Sequence, residues 1–336
     1  MRRKIAKSLP VGWAALLLWV AGSAAAEEPA QWLERMNQAL TQNNYEGEFQ
    51  HWQRGGKVEN LRIIHRVKDG EVTERLVSLD GSGREFIRTG TELTCYLPDR
   101  RIVLVERRAA DGPFLGGLPS FDAAAAAFYD ISEVKRTRIN RRDTRVIAVN
   151  PKDEFRYGYK LWIDESTAMP IRTQLCDAKG RVIEQIVFSS LKLPSSIPDR
   201  AFRPDVSAEG FQWLRNEEGA RASVATPTLW DTLRLPPGFR MTVRAAQTMP
   251  GSRDPVEHLV FTDGLASVSV FVEQRGKSVE GEALYGPARV GSSSTFSTVI
   301  DDGRKMTVVG EVPPQTVRFI ANSVKAGRVT IQPPRR

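Results

Sequence analysis

Histidine and cysteine are scarce in this chain, with three and two copies in 336 residues. His51, His65 and His258 have no partner at HExxH or paired-histidine spacing, which excludes the common zinc-hydrolase signatures. No G-x-S-x-G elbow is present, so the α/β-hydrolase nucleophile is excluded as well. Gly276-Lys277-Ser278 ends like a phosphate-binding loop, but the glycine required five positions earlier is Phe271. Gly81-Ser82-Gly83 lacks the third glycine of a dinucleotide loop. The carboxylates are spread through strand and turn patterns without forming an acid/base pair. These absences predict no catalytic residue, metal or cofactor, and favour binding over enzymatic activity.

A long apolar run is also missing. The longest, Val11 to Val20, is about half of what spans a bilayer. Arg2, Arg3, Lys4 and Lys7 precede it, and Ala24-Ala25-Ala26 follows at the small-residue cleavage position. The pattern predicts a signal peptide over residues 1–26 and an exported, soluble mature chain from Glu27. No cysteine follows the apolar run, so a lipid-anchored N-terminus is excluded.

Removing that segment halves the charge. The whole chain carries a formal +8, and four basic residues with no acid lie in the first 26 positions. Residues 27–226 are balanced, and the remaining excess lies beyond 227. The net charge therefore gives no argument for nucleic acid, which export already disfavours. Cys95 and Cys176 both sit in strand patterns. In an oxidising compartment they are either a disulfide or two separate buried thiols, and strand adjacency cannot be read from spacing.

The organising stretch is 157–193. Tyr157, Tyr159, Leu161 and Ile163 alternate with Gly158, Lys160, Trp162 and Asp164, the period of a two-faced strand. A second strand follows Pro170, and a third runs from Arg181 to Leu193 after the Ala178-Lys179-Gly180 turn. Upstream, residues 29–42 read as a helix with Trp32, Leu33, Met36, Ala39 and Leu40 on one stripe. Strands are expected at 45–53, 58–68, 72–79, 84–88, 92–97 and 101–106, with hairpin signals such as Asp69-Gly70. Residues 107–133 interrupt them. This glycine-rich segment carries Phe114, Leu115 and Leu118, and then a short alanine helix to Phe128 and Tyr129. It is either a plug for the open side of the sheet or a movable lid over an apolar cavity. The sheet resumes at Glu133, giving about ten antiparallel strands bent into a half-barrel around the first helix.

Residues 207–227 read mostly as linker, with one short helix near Phe211 to Leu214. A smaller α+β domain covers 228–328. Its strands are expected at 240–246, 257–262, 266–274, 288–293, 295–300 and 305–310. A last helix opened by Pro313-Pro314 carries Val317, Ile320, Ala321 and Val324 on one face. Residues 329–336 form a tail.

Three motif groups carry a family resemblance. The run Tyr159-Lys160-Leu161-Trp162-Ile163-Asp164, then Met169-Pro170 and Asp177-Ala178-Lys179-Gly180, resembles the core hairpins of LolA/LolB-type lipoprotein carriers. The lead-in Lys135-Arg136-Thr137-Arg138-Ile139 is closer to the RseB/MucB family of periplasmic regulators of sigma-E signalling. Phe261 to Leu265, Ser267 to Phe271, and Val309 to Thr316 resemble that family's C-terminal domain. The fold class is therefore mainly β with α: a LolA/LolB-like half-barrel over 27–206, then the α+β domain.

The resemblance implies a periplasmic negative regulator. It would bind the periplasmic part of a membrane-spanning anti-sigma factor, shield it from proteolysis, and be released by lipopolysaccharide or another acyl lipid. A lipoprotein or lipid carrier is the alternative, and the extra domain counts against it. Oligomeric state stays open, a homo-oligomer included. Two features could carry binding. Lys135, Arg136, Arg138, Arg141 and Arg142, with Arg145, crowd a hairpin turning at Asn140. They form either a solvated basic edge or a contact for lipid phosphate or an acidic partner. The apolar residues Phe114, Leu115, Leu118, Phe128 and Tyr129 are either ordinary core or an acyl-chain lid.

Overall fold

The computed structural model describes residues 28–107, 123–216, 230–232, 234–248, 255–273, 286–300 and 303–326. The expected signal peptide, the tail and three lid residues (Phe114, Leu115 and Leu118) lie outside them.

Helix α1 (Pro29–Gln42) starts where Pro29 pre-sets the first turn, and the Glu28 amide donates to Gln31 Oε1 at 3.2 Å. Its apolar stripe is buried as the spacing predicts: Trp32, Leu33, Met36, Ala39 and Leu40. Strands β1 (Tyr45–Gln53), β2 (Glu59–Lys68), β3 (Glu71–Ser78), β4 (Glu85–Thr89), β5 (Glu92–Leu97) and β6 (Ile102–Arg107) form an antiparallel meander. A second meander runs through β7 (Tyr129–Ile139), β8 (Arg142–Pro151), β9 (Gly158–Asp164), β10 (Pro170–Cys176) and β11 (Val182–Lys192). Pairing of β1 with β11 joins the two into one open, curved sheet. Helix α1 fills its hollow, packing with Tyr45, Ile63, Leu161, Ile163, Met169 and Phe188 in a single apolar cluster.

Two expectations change here. Strand β7 begins at Tyr129, four residues before the expected restart, because the Tyr129 backbone already pairs with Pro151. Residues near 211–214 are not a linker helix. They enter β12 (Gln212–Asn216), which lies parallel to β6 and brings the sheet to twelve strands. Trp213 meets Tyr96 edge-on with centroids 6.4 Å apart, and Phe211 packs on the Tyr96, Val103 and Val105 cluster, so side-chain packing holds this extra strand.

The C-terminal sheet contains β14 (Arg240–Thr248), β15 (Pro255–Thr262), β16 (Ser267–Glu273), β17 (Gly286–Val290), β18 (Ser293–Val299) and β19 (Lys305–Gly310). Its order is β14-β15-β16-β19-β18-β17. Helix α2 (Pro314–Ser323) covers one face, burying Val317, Ile320 and Ala321 against Val268, Val270 and Val308. A separate two-stranded ladder pairs β13 (Trp230–Thr232) with β20 (Val324–Ala326).

The disulfide alternative is overturned. Cys95 and Cys176 are not joined by a disulfide. They lie on β5 and β10, six ladder steps apart in the sheet, far beyond the roughly 7 Å Cα separation a disulfide can bridge.

Candidate functional site

The basic run folds as the hairpin its spacing suggests. Asn140 and Arg141 take φ of 48° and 65°, the left-handed pair of a tight two-residue turn, and the Asn140 side chain donates to Phe188 O at 2.9 Å. The hairpin forms one edge of the large sheet. Most of its charge is met internally. Arg136 Nε lies 3.1 Å from Glu133, Arg138 Nε 2.8 Å from Asp143, and Arg145 Nη1 2.9 Å from Glu133. Arg142 bridges Asp164 at 2.5 Å and donates to Leu191 O at 2.7 Å. Lys135 and Arg141 are the members of the run without an ion pair among the described residues. Val134 bulges out of the ladder between Glu133 and Lys135, and such irregularity discourages further strand pairing.

Asp164 shows how firmly this edge is tied. Burial pushes its carboxyl up, but bonds from the Ser166 hydroxyl and amide and from Arg142 outweigh that and hold it below the usual carboxylate range.

Phe128 and Tyr129 are the two lid residues that lie among the described residues. They form part of a seam between the two sheets. Tyr129 is buried and donates its phenol to Asp263 Oδ2 at 3.0 Å. Burial, and next the Asp263 charge, push the Tyr129 hydroxyl far above its ordinary range, so it stays a donor. Phe128 packs so closely on Gly238 that a Cβ there would lie 2.3 Å from its ring.

At the centre of the seam is Arg156, which sequence reasoning passed over. It lies in the β8–β9 loop and is fully buried. Its Nη1 sits 3.1 Å from Asp263 of the β15–β16 turn, an ion pair rather than a well-aligned hydrogen bond. Its Nε sits 3.1 Å from Asp153, and Nη2 donates to Pro237 O. The guanidinium faces the rings of Phe128, Phe239 and Tyr129 at 4.8, 5.3 and 5.5 Å. Asp263 accepts further bonds from the amides of Leu265 and Ala266, at 2.8 and 2.7 Å, so the pair's remaining oxygen is satisfied. Thr316 and Gln315 at the start of α2 donate to the carbonyls of Phe155 and Glu154, and Arg289 donates to the Tyr157 hydroxyl. The only hint in the sequence was the Thr262-Asp263-Gly264 turn, whose partner 107 positions earlier no local pattern reveals.

The chain matches the family model of the MucB/RseB N-terminal domain over residues 28–206, and that of the MucB/RseB C-terminal domain over 224–325. It is 31% identical over 304 residues to the Sigma factor AlgU regulatory protein MucB of Pseudomonas aeruginosa, covering 89% of this chain and 92% of that protein. This chain belongs to the MucB/RseB family. The Sigma-E factor regulatory protein RseB of Escherichia coli K12 is 30% identical over 317 residues, covering 93% and 95%. Among solved structures, MucB from the Pseudomonas aeruginosa MucA/MucB complex superposes with a TM-score of 0.68 at 30% identity. That match covers 90% of this chain and all of that one. The MucB/RseB relatives are regulatory proteins by name, and the two family models together span both sheets.

Proposed function

We propose that this chain is a periplasmic regulator that binds the periplasmic part of a membrane-spanning anti-sigma factor and shields it from regulated proteolysis. The observation that carries this reading is the correspondence, at 30% identity over 90% of the chain, to a MucB chain whose structure was determined together with MucA. The binding surface would draw on both sheets, since the buried Arg156–Asp263 pair couples them into one unit. Export would follow from the signal-peptide pattern of residues 1–26. Acyl lipid or lipopolysaccharide taken up by the half-barrel would release the partner. Such release requires the lipid to favour a state with weaker partner affinity. In the basic run, Lys135 and Arg141 are the cations left to meet an anionic group.

The test is a protection assay. The anti-sigma factor's periplasmic segment is exposed to the protease that cuts it, with and without the full mature chain, and then with lipopolysaccharide added. Slower cleavage that lipopolysaccharide restores supports the whole reading. Slower cleavage indifferent to lipid removes the release step, and unchanged cleavage removes the shielding role.

A further inference from the structure

A second contact between the two sheets is made of titratable groups. On the large sheet, Glu184 of β11 is buried, and its Oε1 lies 2.8 Å from His51 Nε2 of β1. The other ring nitrogen of His51 lies 3.5 Å from Glu59 of β2. From the small sheet, the Gly291-Ser292 turn reaches over to Gln53, whose amide donates to Ser292 Oγ at 3.4 Å. Ser292 in turn donates to Glu311 Oε1 at 2.6 Å. Glu311 follows β19, and its partner Ser292 meets Gln53, which is the register partner of Glu184 across the β1–β11 ladder, so the Glu311 and Glu184 carboxyls meet at the seam. Two carboxylates cannot make that contact; one must carry a proton. Among the described residues the buried Glu184 Oε2 has no hydrogen-bond partner of its own, so it is placed to accept that proton.

We propose that Glu184 and Glu311 form a proton-dependent latch between the two sheets, closed while they share a proton and loosened when it leaves. Burial, and next the Glu184 charge, push the Glu311 carboxyl up to about 7. The hydrogen bond to Glu184 raises His51 above its ordinary value. Of the other groups facing the cluster, Arg84 reaches Glu59 at 3.7 Å but is paired with neither seam carboxyl among the described residues. Tyr159 of β9 stays neutral, because burial, then Glu311 and Glu184, raise its hydroxyl. Arg289 of β17 is engaged with the Tyr157 hydroxyl.

The direction follows from linkage. Glu311 holds its proton more tightly in the closed seam than free in water. Closure is therefore fully supported below the ordinary carboxylate range, and that support is lost as pH rises toward about 7. Loss of the His51 proton acts the same way, because it removes the cation that lies between Glu59 and Glu184. One proton gives a closure constant that changes by up to about tenfold per pH unit in that window. The latch does not rest on the partner proposed above, and its test uses no partner.

Small-angle scattering of the full mature chain at about pH 5.5 and about pH 8 brackets the transition. The wild type should be more compact at the lower pH, and Glu311→Gln should stay compact at both. Identical scattering of the wild type at both values, or an unchanged pH response in Glu311→Gln, overturns the latch. If that variant does not fold, carbon-13 titration of the wild-type glutamate carboxyls decides. One midpoint near 7 supports the latch, and all midpoints within the ordinary carboxylate range overturn it.

Discussion

Replacing Arg156 with alanine tests whether the seam is a structural anchor. The side chain is fully buried, pairs with Asp263 at 3.1 Å and with Asp153 at 3.1 Å, and donates to Pro237 O. Truncation leaves the Asp263 carboxylate without its cation, and breaking one partner of such a buried pair costs about 3–5 kcal/mol. It also strips the cation from three aromatic faces. The loss should fall on the coupling between the sheets more than on either core, since Leu161 and Val308 belong to separate apolar clusters. Urea unfolding followed by tryptophan fluorescence and by far-ultraviolet dichroism would read it. We expect a lower midpoint and a split into two transitions. The double variant Arg156→Met with Asp263→Asn should lose less than the sum of the singles, because it leaves no buried charge unpaired. A loss below about 1 kcal/mol for Arg156→Ala, with both probes still coincident, would refute this account of the seam.

Two further outcomes follow from the same geometry. Gly238→Ala adds a methyl at φ +82° and 2.3 Å from the Phe128 ring. It should destabilise the chain by more than the roughly 1 kcal/mol typical of backbone strain alone, read as a fall in melting temperature. Asp164→Asn removes the charge that pairs with Arg142 and puts an amide donor in place of one of the two oxygens that accept from Arg142 and Ser166, and should cost about 1–3 kcal/mol at neutral pH. The Asp164 carboxyl is depressed in the folded state, so its contribution is present above the ordinary carboxylate range and fades as pH falls through the depressed value. Melting curves of wild type and variant should therefore converge in acid and separate near neutrality.

Much of the architecture was legible because its signals are local. Pro29 with a five-residue apolar stripe marks α1 to the residue, and Asn140 marks the hairpin turn. The strand series was read within a residue or two wherever alternation was clean, as in Tyr45–Gln53 and Lys305–Gly310. The serine-rich stretch 292–294 has no apolar period. There the turn is set by Gly291 at φ +59°, which moves the β18 start back to Ser293. Strands β12, β13 and β20 escaped notice because short edge pairings depend on what lies beside them.

The site was less legible, for a different reason. A run of arginines announces charge but not its partners. Glu133, Asp143, Asp164 and Glu165 come from the hairpin itself and from β9 and the turn after it. Phe128 and Tyr129 were read as lid or core, and their actual neighbours, Gly238 and Asp263, lie more than a hundred positions away. Arg156 looked like any loop arginine. Long-range pairing of single residues has no periodicity to betray it.

The most direct test of the regulatory reading is a binding isotherm. The full mature chain is titrated with the periplasmic segment of its anti-sigma factor, with and without lipopolysaccharide. The account predicts saturable binding that lipopolysaccharide weakens. No binding in either condition, with acyl lipid still retained by the chain, would contradict it.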